Sequence, residues 1–197
     1  VIFNKAPDVH APEYDVDSMY RYSNVFVLGE LVVVTEKIHG CNSRFVVHKN
    51  KLYVGSHHMW KPETDSDVWW STIKRYTTII EWLKANQDVV LYGEIYGDTQ
   101  RNDGFGYGVP INQNRFVAFN LLMNGKWVDP LEAREITKGI VPWVPIIDTI
   151  PFELENLKQI AEGQSIMEGA NHIREGIVVL PIKERSPHDP PPKALPK

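Results

Sequence analysis

Thr35-Glu36-Lys37-Ile38-His39-Gly40-Cys41-Asn42 follows an apolar run, Val32-Val33-Val34, and sets one lysine three residues before a glycine. The β-branched valines predict a buried strand. Lys37 then leaves a rigid element, and Gly40 lets the backbone approach a ligand closely. A lysine amine is normally protonated and unreactive. Desolvation or neighbouring cations must lower its pKa before it attacks an electrophile such as the α-phosphate of a nucleotide. Lys-x-x-Gly alone is short, and a solvated lysine before a β-turn fits it equally.

Outward from this stretch the chain is rich in strands. Residues 25–34, 43–48, 51–55, 89–94, 116–122 and 176–180 carry the apolar, β-branched and aromatic pattern of strands, with Asn50 and Asn124-Gly125 as turn residues between them. Residues 65–87 differ: Trp69, Ile73, Tyr76, Ile80 and Leu83 recur at helical spacing, and Asp65 or Ser66 is placed to cap the start. A second helix is predicted over 152–162, with Leu154, Leu157 and Ile160 inward and Gly163 as its stop. Residues 186–197 contain Pro187, Pro190, Pro191, Pro192 and Pro196, which predicts an extended tail. No internal repeat is present.

The 197 residues are 43% hydrophobic and 11% aromatic, enough apolar material for one sizeable core and therefore one domain. No apolar run reaches the ~20 residues of a membrane helix, and the start has no signal-peptide pattern, so an intracellular, non-secreted monomer is expected. Cys41 is the single cysteine, which excludes an internal disulfide and a cysteine-based zinc site. It reads as a small packed residue. The formal net charge of −4 argues against gripping nucleic acid by bulk charge, so any such contact is local. Lys61, Lys74 and Arg75 beside Trp60 and Trp69-Trp70 form one such locality, with surface solubilisation as the plainer reading.

Four segments occur in a set order: Lys37-x-His39-Gly40-x-Asn42, Tyr92-Gly93-Glu94-Ile95-Tyr96-Gly97, Phe116-Val117-Ala118-Phe119-Asn120 and Arg174-Glu175-Gly176-Ile177-Val178-Val179. Together they resemble the covalent nucleotidyltransferase superfamily of ligases and capping enzymes. Within it, Lys-x-His-Gly-x-Asn after Thr-Glu resembles the RNA ligases of the nick-sealing and Deinococcus types, as does Tyr14-Asp15-Val16-Asp17-Ser18-Met19 upstream. The resemblance implies an α+β nucleotidyltransferase domain over residues 1–185, with antiparallel sheets flanked by helices. It implies an ATP-dependent RNA ligase that forms lysyl-AMP on Lys37, adenylates an RNA 5′ end and joins it to a 3′-hydroxyl. RNA ends, nicked or duplex, are the implied partners, and Mg²⁺ or Mn²⁺ the implied metal, suited to hard oxygen ligands.

By the same resemblance Glu94 contacts the ribose, and Glu175 binds the metal. Phe119 stacks on the adenine, sharing a strand face with Val117 while Phe116 turns to the core. Glu36 receives the adenine amino group, and Asn42 orients the sealing step. Ile38, His39, Gly40, Ser56 and Lys183 complete the nucleotide-binding set. Three departures stand out. Ser56-His57-His58 replaces the family's Ser-Arg, giving weaker charge at neutral pH. Asn120 stands where aspartate is usual. The final Lys-x-Lys pair is missing: Lys183 comes early, while Lys193 and Lys197 lie among prolines. A chain stopping before that strand, or before a second domain, accounts for this; a domain that only binds nucleotide is the alternative. A DNA ligase or capping enzyme shares the lysine chemistry and differs in polynucleotide or in GTP use.

Overall fold

The computed structural model describes residues 5–19, 21, 24–97 and 106–186. In chain order the strands are β1 Leu31–Lys37, β2 Cys41–His48, β3 Lys51–Ser56, β4 Val90–Tyr96, β5 Arg115–Met123, β6 Lys126–Trp127, β7 Ile146–Pro151 and β8 Gly176–Pro181. The helices are α1 Val68–Ile73, α2 Thr77–Ala85, α3 Pro130–Ile136 and α4 Leu154–Ala161. The expected α+β class with antiparallel sheets is what the chain adopts. The predicted tail lies, from residue 187 on, outside the described residues. No helix among the described residues is long and apolar enough to cross a membrane.

Residues 32–36 of β1 are all buried, so both faces of the strand are covered and its valines need no polar alternation. It is the centre of a three-stranded antiparallel sheet ordered β7-β1-β8. The strand expected over 25–34 begins only at Leu31. Ahead of it the chain turns at Gly29, with φ +83°, and Glu30 accepts a hydrogen bond from the Val27 amide at 2.9 Å. A five-stranded antiparallel sheet ordered β3-β2-β4-β5-β6 forms the other layer. Its hairpins turn at Lys49-Asn50 and Asn124-Gly125, all four residues at positive φ, as tight hairpin turns require.

The single helix expected over 65–87 is two helices. Asp67, rather than Asp65 or Ser66, caps α1 by accepting from the Trp70 amide. Lys74-Arg75-Tyr76 breaks the helix, and Tyr76 leaves helical geometry at φ −99°, ψ 63°. Its hydroxyl accepts the Phe116 amide at 2.9 Å, a tertiary bond that competes with continuing the helix. The flanking Thr72-Ile73 and Thr77-Thr78-Ile79-Ile80 are weak helix formers, so the break costs little. The buried face consequently shifts to Trp70, Ile73, Ile79 and Leu83.

These side chains join Phe45, Leu91, Ile95, Phe116, Leu121 and Ala133 in the main core, on one face of the five-stranded sheet. α4 supplies Leu157 to a smaller core with Val32, Val34 and Phe152. Ile38, Tyr96, Tyr107, Val117 and Val144 pack beneath the turn that carries the chain from one sheet to the other.

Candidate active site

The chain crosses between the sheets at residues 38–40, so the lysine motif sits on their seam. Register then decides its neighbours. Lys37 pairs with Gly176 in the β1–β8 ladder, which brings Glu175 alongside, and the Lys37 amine forms an ion pair with the Glu175 carboxylate. His39 Nδ1 lies 3.4 Å from the other Glu175 oxygen. In the β2–β4 ladder Asn42 faces Glu94, and in the β4–β5 ladder Glu94 faces Val117. Three antiparallel registers thus gather residues distant in sequence at one place.

Gly40 is required by this approach: a Cβ there would overlap the Ile95 carbonyl and lie 2.8 Å from Glu94 Cγ. Its amide donates to Glu94. Burial pushes the Glu94 carboxyl up to about 8; the Lys37 amine pulls it down, Glu175 raises it further and the Gly40 amide lowers it. Tyr107 accepts the His39 amide at 2.9 Å, and burial pushes its hydroxyl up to about 12.

A cavity of about 320 Å³ opens beside this group. Thr35, Glu36, Lys37, Ile38, Asn42, Glu94 and Phe119 line it together with Tyr14, Asp15, Val16, His57, Val144, Val178 and Leu180. Glu36 is 1% exposed, and its carboxylate accepts from the Ser165 hydroxyl at 2.5 Å and the Ile166 amide at 2.8 Å. Those two donors hold one carboxylate in place at the cavity wall and leave it further lone pairs. Phe119 reaches the cavity because β5 bulges: Tyr92 pairs with Asn120 and Gly93 with Ala118, leaving Phe119 as the extra residue. Phe116 turns to the main core, 1% exposed.

Of the sequence-derived residues, Glu175, His39 and Gly40 sit beside the cavity without lining it, while Ser56 and Lys183 are engaged elsewhere. The Ser56 hydroxyl is within a local turn, donating to the Met59 carbonyl at 3.3 Å and accepting the Met59 amide at 3.2 Å. The Lys183 amine pairs with Asp129 at 2.6 Å and is 81% exposed, because β8 ends at Pro181 and the chain turns away toward the start of α3. Among the basic residues near the tryptophans, Lys61 lies over Trp69 at 4.0 Å, and Lys74 pairs with Glu63 at 2.9 Å. Trp70 belongs to the core.

Sequence reasoning marked the stretch Tyr14-Asp15-Val16-Asp17-Ser18-Met19 by its resemblance but gave Tyr14, Asp15 and Val16 no place on the cavity wall. This segment runs outside any strand or helix, so it has no periodicity to read. Its anchors are visible only in space: Tyr92 donates to the Pro12 carbonyl at 2.6 Å, Arg44 to the Ala11 carbonyl at 2.7 Å, and Tyr14 packs on Phe119 at 5.1 Å between centroids.

A lysine ion-paired to Glu175, the mostly buried Glu94 carboxyl close by and an aromatic-walled cavity, all on the seam of two antiparallel sheets, fit the nucleotidyltransferase class of fold. The chain belongs to the RNA ligase family, whose model matches residues 30–194. It is similar to a Naegleria gruberi RNA ligase solved with PPi, at 22% identity and TM-score 0.74, over 88% of this chain and 53% of that one. A lysine-to-alanine variant of that ligase, solved with ATP and Mn, aligns at 23% identity and TM-score 0.66 over 77% of this chain and 47% of that one. Among curated proteins it is similar to the Early 65 kDa protein of Autographa californica nuclear polyhedrosis virus, 26% identical over 164 residues, 77% of this chain and 30% of the relative. The chain thus spans about half the length of the solved ligases it matches, and less of the viral relative.

Proposed function

We propose that this chain is the adenylyl-transferring domain of an ATP-dependent RNA ligase that joins an RNA 3′-hydroxyl to a 5′-phosphate. The observation that carries the reading is the pairing of Lys37 with Glu175 at the wall of a cavity of about 320 Å³, a volume in the range that holds small ligands. Phe119 stacks the adenine, Glu36 accepts from its amino group and Glu94 contacts the ribose. Ile38, His39, Gly40 and Asn42 frame the phosphates. The Lys37 amine, in its neutral form with the proton lost to solvent, attacks the α-phosphate; the bond to pyrophosphate breaks as the phosphoramidate forms. AMP then passes to the RNA 5′-phosphate, and the 3′-hydroxyl displaces it.

Charge develops on phosphate in every step, so local cations matter more than a general base. Glu175 offers hard carboxylate oxygens that fit a divalent cation, and Glu94 lies close enough to feel the charges of Glu175 and Lys37. When bound there, held by Glu175, Mg²⁺ or Mn²⁺ supplies neutralisation of the leaving pyrophosphate. The similar ligase solved with ATP and Mn supports this choice.

A second reading, nucleotide binding without transfer, is favoured by Lys183, whose amine is on Asp129 and not at the cavity. The assay that separates them is sealing of nicked duplex RNA with ATP and Mg²⁺ beside Lys37→Ala. Sealing that needs Lys37 and ATP supports the ligase. Sealing of nicked DNA alone, or use of GTP alone, moves the chain to the DNA ligase or capping branch, and ATP binding without transfer leaves the binding module.

A further inference from the structure

We propose a second metal site, separate from the catalytic carboxylates, in which His57, His58 and Glu13 hold a first-row divalent transition ion of the Zn²⁺ kind and clasp the segment before β1 to the end of β3. The inference stands apart from the ligase reading. Consecutive residues in an extended chain point opposite ways, but β3 ends at Ser56 and the chain bends there, closed by the Ser56 amide donating to the Met59 carbonyl at 2.8 Å. Both imidazoles therefore turn to the same side. Their centroids are 4.0 Å apart, and His57 Nδ1 lies 3.0 Å from His58 Nε2.

The opposing segment supplies the carboxylates. Tyr14 packs among Phe119, Tyr92 and Trp127, so its neighbours Glu13 and Asp15 project the other way, as alternation along an extended chain demands. Glu13 comes within 3.1 Å of His58 Nδ1, and Asp15 within 2.9 Å of His57 Nε2. One donor atom each from Glu13, His57 and His58 fall within 4.8 Å of one another. Tetrahedral ligands at roughly 2.0–2.2 Å from an ion stand ~3.4 Å apart; Glu13 and His57 approach opposite nitrogens of His58, so a turn of the Glu13 carboxylate or of the exposed His58 ring is the adjustment that brings one donor from each onto a single ion. His57 Nε2 is buried with no hydrogen bond of good geometry, its Asp15 neighbour lying off the line. Coordination through Nδ1 would set that ring so that Nε2–H donates to Asp15, the usual carboxylate support of a metal-bound histidine.

The donor set chooses the ion. Two imidazoles and a carboxylate suit Zn²⁺, Co²⁺ or Ni²⁺, whereas Mg²⁺ prefers an all-oxygen shell. Asp15 and His57 also line the nucleotide cavity, so the ion would fix one wall of it.

The test is Co²⁺ and Zn²⁺ titration of untagged, chelator-treated protein without nucleotide, read by visible absorbance and by calorimetry. One ion per chain is expected, with millimolar Mg²⁺ failing to compete. His58→Ala and Glu13→Gln, both at exposed positions, should lose stoichiometric binding, and Asp15→Asn should weaken it roughly tenfold or more. His10→Ala should bind as the parent does. No stoichiometric binding in the parent, or binding that survives a His57→Ala/His58→Ala double variant, overturns the site. Either result leaves the ligase reading where it stands, because neither ATP nor RNA is present.

Discussion

Glu94 is the residue whose environment is most at odds with its chemistry. Its carboxyl stays protonated up to about 8 in the folded chain, against an ordinary value near 4.5, chiefly because it is buried. The folded state therefore binds a proton that the unfolded state releases across that interval. Stability from this source is complete below about pH 4.5 and is lost as the pH rises through about 8. Glu94→Gln removes the loss: thermal melts should show the variant close to the parent at pH 4.5 and more stable at pH 9, by on the order of 1 kcal/mol or more. A parent as stable as the variant at pH 9 contradicts the burial argument. Glu175 differs, being set beside Lys37 by strand register, and Glu175→Ala should leave the melt nearly unchanged while reducing ATP-dependent AMP transfer at least ~100-fold in a radiolabel assay.

At the scale of elements, the turn at 38–40 and the break between α1 and α2 do the positioning. Gly40→Ala forces a Cβ against the Ile95 carbonyl, and urea melts should record a loss of about 1–3 kcal/mol together with weakened nucleotide binding. Tyr76→Phe leaves the Phe116 amide without its acceptor, a cost of about 1–3 kcal/mol in the same experiment. The strands that carry the site were legible in sequence, because Val32-Val33-Val34 and the β4 and β5 runs are apolar and β-branched. So were the hairpin turns at Asn50 and Asn124-Gly125. The break at Tyr76 was not, since the helical spacing runs through it and only the bond to Phe116 gives it away. β6, β7 and α3 were missed for a related reason: β6 is two residues long, and half-exposed β7, Ile146–Pro151, takes its form from pairing with β1. The bulge at Phe119 leaves no mark on local composition either.

Across the whole molecule, the site depends on two sheets holding their relation, and the chain after β8 is tied back to the chain before β1. Arg185 makes a two-pronged contact with Glu30, at 2.7 and 2.9 Å, and Glu30 is 6% exposed. Removing the arginine strands a buried carboxylate, so Arg185→Met should cost about 3 kcal/mol in denaturant unfolding at neutral pH. Lys183, two residues earlier, faces Asp129 at the surface, and no pattern in the sequence announced that destination. The cavity shows the same limit: the lysine, glutamate and phenylalanine motifs point to it, but the wall built by Tyr14, Asp15 and Val16 comes from a segment without periodicity. The central claim is that Lys37 becomes covalently adenylated. Intact-mass analysis of the chain after incubation with ATP and Mg²⁺ tests it directly, beside Lys37→Ala. An acid-labile gain of one AMP, absent from the variant, is the predicted result; an unmodified chain that nevertheless binds ATP, or an adduct that survives Lys37→Ala, contradicts it.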